Sequence, residues 1–329
     1  MDMCAFENDY KETALVIGGA GFIGSHLVEK LIDERKKVFV LDNLLSGSRG
    51  NIPKKSVKFV HGDVRDAELV DNLVTKSDIV FHLAEYIPET RGYGVGHVIR
   101  YSVENPLLDF DVSCRGTLIV LEKAKKYKKK VVFTSSAAVY GEPETVPIKE
   151  ETPALPSSPY GASKICAEVY ARLYSQLYEV PTTILRLFNV YGPRQKKYVM
   201  HDILFKLTNN SEKLEVLGSG LEERDFIFVQ DAVDALLMAR DPEFSGKIFN
   251  VGTGIATSIR ELVRLILGIL DIHPEVIFTQ SSWEGDIKRL VADISRIRKM
   301  GFQPKYQLEK GLRALINWFN NESLAHRNL

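Results

Sequence analysis

Tyr160 and Lys164 stand four residues apart in Ser158-Pro159-Tyr160-Gly161-Ala162-Ser163-Lys164, a spacing that puts both on one face of a helix. An ammonium beside a phenol favours the phenolate and lowers a pKa that starts at about 10. A phenol made acidic in this way is a general base for a substrate hydroxyl near neutral pH. Upstream, Val131-Val132-Phe133-Thr134-Ser135-Ser136 reads as a strand ending in hydroxyls, and Ser136 can hold the same substrate hydroxyl in line. Tyr-x-x-x-Lys alone is common on helix surfaces; what gives it weight here is a serine-ended strand and a glycine turn in one chain.

That glycine turn lies in Thr13-Ala14-Leu15-Val16-Ile17-Gly18-Gly19-Ala20-Gly21-Phe22-Ile23-Gly24-Ser25. The apolar run is a strand; it breaks at Gly18 and resumes as a helix. Gly18, Gly21 and Gly24 recur every third residue, as a dinucleotide requires: a tight turn, bare backbone at the pyrophosphate, and close packing of helix on sheet. The helix start offers unpaired N–H groups and the positive end of its dipole. A second apolar strand over 38–41 ends in Asp42, close to the expected distance of about 20 residues after the glycines. Its carboxylate can accept both ribose hydroxyls of NAD and would repel the 2′-phosphate of NADP.

The elements that must position these groups alternate through the first half. Strands are expected at 13–18, 37–41, 57–60, 78–83, 131–135 and 182–187, with helices between most of them. This is the pattern of a doubly wound α/β protein with a parallel Rossmann sheet, in which ligands bind at the carboxyl ends of the strands. Asp63 and Val64 follow the third strand, where Asp63 can meet an adenine amino group. Leu83 and Ala84 follow the fourth, small at Ala84 so that backbone can approach a cofactor. His82, within that apolar strand, reads as a core histidine. The stretch 85–104, with Arg91, Gly92, Tyr93, Gly94 and Gly96, reads as a long loop and a candidate substrate lid.

After Asn189 the alternation becomes irregular. Helices are expected near 200–210, 231–241, 258–270 and 307–320, and strands near 214–217, 225–229, 247–251 and 275–278. The division expected is a dinucleotide-binding domain over 1–189, with segments near 225–255 returning to it, and a smaller mixed α/β substrate lobe over 190–329, which the family resemblance given below makes mainly nucleotide-sugar-binding.

Composition bounds the function. The 329 residues are 45% hydrophobic and 26% charged, with 43 Lys+Arg against 43 Asp+Glu, so nothing points to nucleic acid or an acidic membrane surface. Lysines between 123 and 130 read as a solvated helix end. Cys4, Cys114 and Cys166 are odd in number and lack metal-ligand spacing, which indicates free thiols in a reducing compartment and no metal site. Cys166 reads as a small buried apolar residue. Residues 1–12 are polar and acidic rather than signal-like, and no run reaches the roughly 18 apolar residues of a membrane span. A cytoplasmic protein is expected.

Several stretches together resemble the extended short-chain dehydrogenase/reductases, close to nucleotide-sugar epimerases of the UDP-glucose 4-epimerase type. They are the glycine turn, Leu41-Asp42-Asn43-Leu44, Thr134-Ser135-Ser136-Ala137-Ala138-Val139-Tyr140-Gly141, the Tyr160–Lys164 segment, Arg186-Leu187-Phe188-Asn189-Val190-Tyr191-Gly192-Pro193 and Arg224-Asp225-Phe226. The resemblance covers nearly the whole chain. It implies Ser136, Tyr160 and Lys164 as the catalytic trio. NAD would be held by Gly18, Gly21, Phe22, Ile23, Gly24, Asp42, Asn43, Asp63, Val64, Leu83, Ala84, Tyr160 and Lys164. A UDP-sugar would meet Ser136, Asn189, Arg224, Asp286 and Leu290. A homodimer paired through helices at 106–126 and 160–178 is also implied. Tyr160 would take the sugar 4-hydroxyl proton while the C4 hydride passes to NAD; the 4-keto sugar then turns about its diphosphate and the hydride returns to the other face.

Three departures bear on the substrate. Trp283-Glu284-Gly285-Asp286 stands where the family often has Arg before x-Gly-Asp, leaving Arg224, with Arg289 or Arg91, to clamp the diphosphate. Ser113 stands where Asn is common before Gly116-Thr117, and the 85–104 loop is longer than in typical 4-epimerases. A 4,6-dehydratase would want an Asp-Glu pair where Ala137 and Ala138 stand, and a UDP-glucuronate decarboxylase a Glu that is also absent. A 4-keto-sugar reductase uses the same trio and differs by consuming external NAD(P)H. A non-catalytic dinucleotide sensor on this fold would have a damaged trio.

Overall fold

In a computed structural model of the chain, residues 12–54, 56–86, 97–281 and 287–327 are described. Seven parallel strands form the central sheet in the order Ile248–Val251, Thr182–Leu187, Lys130–Ser136, Ile79–His82, Thr13–Ile17, Lys37–Asp42 and Val57–His61. From Thr13–Ile17 the chain winds outward to Lys37–Asp42 and Val57–His61, then returns to pair Ile79–His82 on the other side. Such a reversal opens a crevice at the carboxyl ends of the strands.

The inner strands are apolar along their length because helices cover both faces. On one face Leu27, Val28 and Leu31 of helix Phe22–Asp33 pack with Leu236 of helix Val229–Met238. On the other, Val70 and Leu73, Val120 and Leu121, and Ala167 and Ala171 come from helices Ala67–Thr75, Gly116–Tyr127 and Pro159–Tyr178. A third core, including Ile203, Leu204, Leu262, Ile266, Leu312 and Leu315, belongs to the later lobe. There the two short strands Asn189–Tyr191 and Phe226–Phe228 pair in parallel.

Two expectations need correction. The stretch 85–104 is not one loop: His97–Glu104 is helical, with Val98 and Ser102 buried four residues apart on one face. Arg91, Gly92, Tyr93, Gly94 and Gly96 lie outside the described residues. The helix expected over 106–126 is interrupted. Pro106–Phe110 leads into a wider π turn at Asp111–Arg115 before Gly116–Tyr127 resumes, and such turns commonly sit at functional sites. Gly116 is required where it stands, since a Cβ there would lie 2.8 Å from Val64. The lysine-rich stretch is locally paired, with Lys123 and Lys126 on Asp71 and Lys125 on Glu122. Among the described residues no helix is long and apolar enough to cross a membrane.

Candidate active site

At the carboxyl edge of the sheet a cleft of about 650 Å³ runs from the glycine turn to the later lobe. Gly18 sits at φ +82°, and a Cβ on it would come within 2.8 Å of the Ala84 backbone; one on Gly24 would come within 2.2 Å of the Gly18 carbonyl. These two glycines are there for close backbone packing. Gly21 caps helix Phe22–Asp33 without any side-chain hydrogen bond, and no acidic residue occupies the first turn. The first N–H groups of a helix have no partner within it. Here they border the cleft together with Gly18, Gly21, Phe22, Ile23 and Gly24. Such a cradle suits an anion.

Asp42 is almost buried, and its carboxylate accepts from the Ala20 and Leu44 N–H groups at 2.9 and 2.8 Å. Burial nevertheless outweighs these bonds and pushes its pKa up. Asn43 donates to Asp63 at 3.2 Å. Asp63 is gripped on both oxygens by Arg65, each at 2.9 Å, which pulls its pKa down to about 2. Leu83, Ala84 and Val64 complete this end of the cleft.

The chemistry-bearing residues converge farther along. Ser158 caps helix Pro159–Tyr178 by accepting from Gly161 N–H at 3.2 Å, and Pro159 opens the helix, both favoured at these positions. Tyr160 and Lys164 therefore face the same cleft, the ammonium 5.9 Å from the phenol ring centre. Ser136 ends strand Lys130–Ser136 and lies close enough to Tyr160 to favour its ionised form. Lys164 is 2% exposed, donates to the Thr134 carbonyl at 3.0 Å and pairs with Glu85 at 2.5 Å. Glu85 in turn accepts from the Ser113 hydroxyl at 2.7 Å.

The simple acidification of Tyr160 by Lys164 must be corrected. Burial, then the Glu85 charge, push the phenol well above its ordinary range, and Ser136 only partly offsets them. The Lys164 ammonium is paired with the Glu85 carboxylate, so a negative charge that disfavours the phenolate stands beside the positive charge that favours it.

A buried network holds helix Pro159–Tyr178 on the sheet. Arg186 of strand Thr182–Leu187 bonds Glu168 of that helix at 2.6 Å and the Tyr140 hydroxyl at 2.8 Å, and Tyr140 donates to Asn250 at 2.6 Å. Tyr140 ends the turn that follows Ser136, so the network braces the helix and the serine together.

On the far wall Asn189 donates to the Asp225 carbonyl at 3.3 Å, and Arg224 and Leu290 sit side by side in paired strands. All three line the cleft. Asp225 itself is structural: it accepts from Thr253 N–H, Gly254 N–H and Ala292 N–H at 2.7, 2.8 and 3.2 Å, and from the Thr253 hydroxyl at 2.6 Å. Arg289 does not line the cleft; it is exposed and paired with Glu223. Asp286 and Trp283 fall outside the described residues. His82 is a core residue, as its apolar strand indicates. The Thr117 hydroxyl donates to the Ser113 carbonyl at 2.6 Å and so accepts from His82 Nε2 at 3.0 Å. Burial pushes His82 down to about 3, keeping the ring neutral. Cys166 is half-buried rather than buried, and its sulfur lies 2.9 Å from that of Cys114.

Glu85, Asp109 and Tyr198 belong to this region and were not singled out from the sequence. Tyr198 lines the cleft, and Asp109 lies behind Lys164 and Glu85. The available signal was a carboxylate directly after Ala84, at the functional edge of the sheet. Arg194-Gln195-Lys196-Lys197, a basic run that also lines the cleft, was equally legible.

With this geometry in place, residues 14–252 match the model of the NAD dependent epimerase/dehydratase family. The chain belongs to that family. A UDP-glucose 4-epimerase of Mycolicibacterium smegmatis is 36% identical over 94% of this epimerase/dehydratase-family chain and 99% of its own. A UDP-glucose 4-epimerase of Thermotoga maritima, solved with UDP-glucose, is 32% identical with a TM-score of 0.86, covering 94% of this chain and 99% of that one. The corresponding enzyme of Thermus thermophilus, solved with NAD, is 34% identical with a TM-score of 0.80 over the same shares. The cleft fits a dinucleotide by its own geometry: a helix start with no side-chain cap, two glycines a Cβ could not replace, and a carboxylate at the end of strand Lys37–Asp42.

Proposed function

We propose that this chain is an NAD-dependent nucleotide-sugar 4-epimerase, inverting C4 of a UDP-hexose through a transient 4-keto sugar. The observation that carries the reading is that Ser136, Tyr160 and Lys164 line one continuous cleft with the glycine turn and with Arg224, in a chain of this family. Gly18, Gly21, Phe22, Ile23 and Gly24 would hold the pyrophosphate of NAD, Asp42 and Asn43 the adenosine ribose, Asp63 and Val64 the adenine. Leu83, Ala84, Tyr160 and Lys164 would enclose the nicotinamide end. Bound NAD supplies a two-electron carrier that accepts the C4 hydride and gives it back, so the reaction has no net redox change. Ser136 orients the sugar 4-hydroxyl, and Tyr160 removes its proton and later restores it. Lys164 holds the nicotinamide ribose and adds positive charge near the phenol. Asn189 and Arg224 hold the diphosphate about which the sugar turns, with Leu290, and Asp286 outside the described residues, on the sugar and diphosphate side.

The same reading divides the chain into a dinucleotide-binding domain over 1–189, rejoined by segments near 225–255, and a nucleotide-sugar lobe over 190–329. It also makes the protein cytoplasmic and homodimeric. The dimer is supported by a stripe on helix Pro159–Tyr178, where Val169, Leu173 and Leu177 are exposed at four-residue spacing. Leu107, 85% exposed on the neighbouring helix, adds to that apolar surface, which is larger than isolated surface apolar residues explain.

The test is proton NMR of the purified protein with UDP-glucose, UDP-N-acetylglucosamine and UDP-glucuronate in turn, with no nicotinamide added. Appearance of the C4-inverted sugar supports the reading and names the substrate. Turnover only with external NAD(P)H would make the protein a reductase instead. No turnover of any nucleotide sugar, with NAD bound, would leave a sensor.

A further inference from the structure

Behind the Tyr160–Lys164 pair lies a cluster of groups that the family chemistry does not call for. Glu85 leaves the end of strand Ile79–His82 with its side chain only 11% exposed. One of its oxygens is 2.5 Å from the Lys164 ammonium, and the other accepts from Ser113 at 2.7 Å. Ser113 lies in the π turn Asp111–Arg115. Two of the three ammonium donors of Lys164 are thus taken, by Glu85 and by the Thr134 carbonyl at 3.0 Å, leaving one for a ligand. Asp109, fully buried on the preceding helix Pro106–Phe110, adds a second carboxyl to the cluster.

We propose that Glu85 is a positioning residue of the hydride-transfer centre: anchored by Ser113, its carboxylate holds the Lys164 ammonium and so sets how readily Tyr160 gives up its proton. The inference rests on Tyr160 being the base. Charge bookkeeping supports it. Among the described residues, those facing the cluster are Lys164, Tyr160 and Ser163 from helix Pro159–Tyr178, Asp109 from helix Pro106–Phe110, Ser113 from the π turn Asp111–Arg115, Tyr198 from helix Tyr198–Asn209, and neutral His82 from the sheet. Among the described residues, one ammonium therefore stands with two carboxyls and two phenols. The protein's own residues oppose the phenolate, and it is Glu85 that turns Lys164 from a helper of ionisation into a neutralised partner. Such a centre restrains its base until further positive charge arrives at the cleft.

The decisive measurement is the pH profile of kcat/KM for the wild type and Glu85→Gln, with the near-ultraviolet phenolate absorbance titrated in parallel. Subtracting Tyr160→Phe, in each background, isolates the one phenol. Glu85 is the leading charge opposing the Tyr160 phenolate, and a charge within about 4–6 Å of a titrating group moves its pKa by about 1–3 units. The acidic limb, and the titration, should move to lower pH by about one unit in Glu85→Gln. Ser113→Ala should move both in the same direction by less, and it serves where Glu85→Gln does not fold. Coincident profiles and titrations would overturn the proposal while leaving the epimerase reading intact. Full activity in Tyr160→Phe would instead overturn the assigned base, and the phenol titration would still decide whether Glu85 governs it.

Discussion

Replacing Asp109 with asparagine should stabilise the fold at neutral pH, against the usual outcome for a fully buried residue. Neither oxygen of Asp109 has a hydrogen-bond partner of ordinary geometry among the described residues. The nearby Ser163 hydroxyl gives it only partial relief. Burial first, and the Glu85 charge in addition, lift its pKa from 3.8 to about 6. The folded protein therefore holds this proton more tightly than the unfolded chain does. As pH rises from 4 to 6 the unfolded state releases the proton first, so stability falls through that window and stays low above it. At about 1.4 kcal/mol per tenfold change in proton affinity, the full cost is about 3 kcal/mol above pH 6. An amide has nearly the same shape and no proton to lose. Asp109→Asn should therefore gain about 3 kcal/mol at pH 8, shrinking to about 1 kcal/mol near pH 4.5. Urea denaturation at the two pH values measures both. A gain independent of pH, or a loss of stability at pH 8, would refute the assignment of a destabilising buried carboxyl.

Tyr160→Phe should lower turnover by about 10²–10⁴-fold while NAD stays bound, read by NMR turnover and by assay of the NAD released when the purified variant is denatured. Glu168→Gln leaves the Arg186 guanidinium buried without its charge partner and should cost about 3–5 kcal/mol, measured by chemical denaturation. Leu173→Glu, in the middle of the exposed stripe, should convert the proposed dimer to a monomer in sedimentation velocity. A dimer that persists would place the interface elsewhere. Glu85→Gln completes the set with its displaced pH profile.

The local signals were strong wherever chemistry demanded a fixed spacing. The turn Gly18-Gly19-Ala20-Gly21, the carboxylate ending Lys37–Asp42 and the four-residue step from Tyr160 to Lys164 are properties of neighbours in sequence. Periodicity and backbone sterics make such signals readable. The parallel sheet was legible for the same reason: strands buried on both faces are apolar throughout. The π turn at Asp111–Arg115 left no such mark in the sequence; nor did the close approach of Gly116 to Val64, from a segment 52 residues earlier. Nor does sequence reveal which charge faces Lys164. Glu85 and Lys164 are 79 residues apart in the numbering of the chain, and only the winding of Ile79–His82 beside Lys130–Ser136 brings them to 2.5 Å. By itself, then, the sequence determined the fold class and the dinucleotide turn, and it singled out Tyr160 as the candidate base. The tertiary structure decided the electrostatic setting of that base, since burial and through-space charge follow from which distant segments meet.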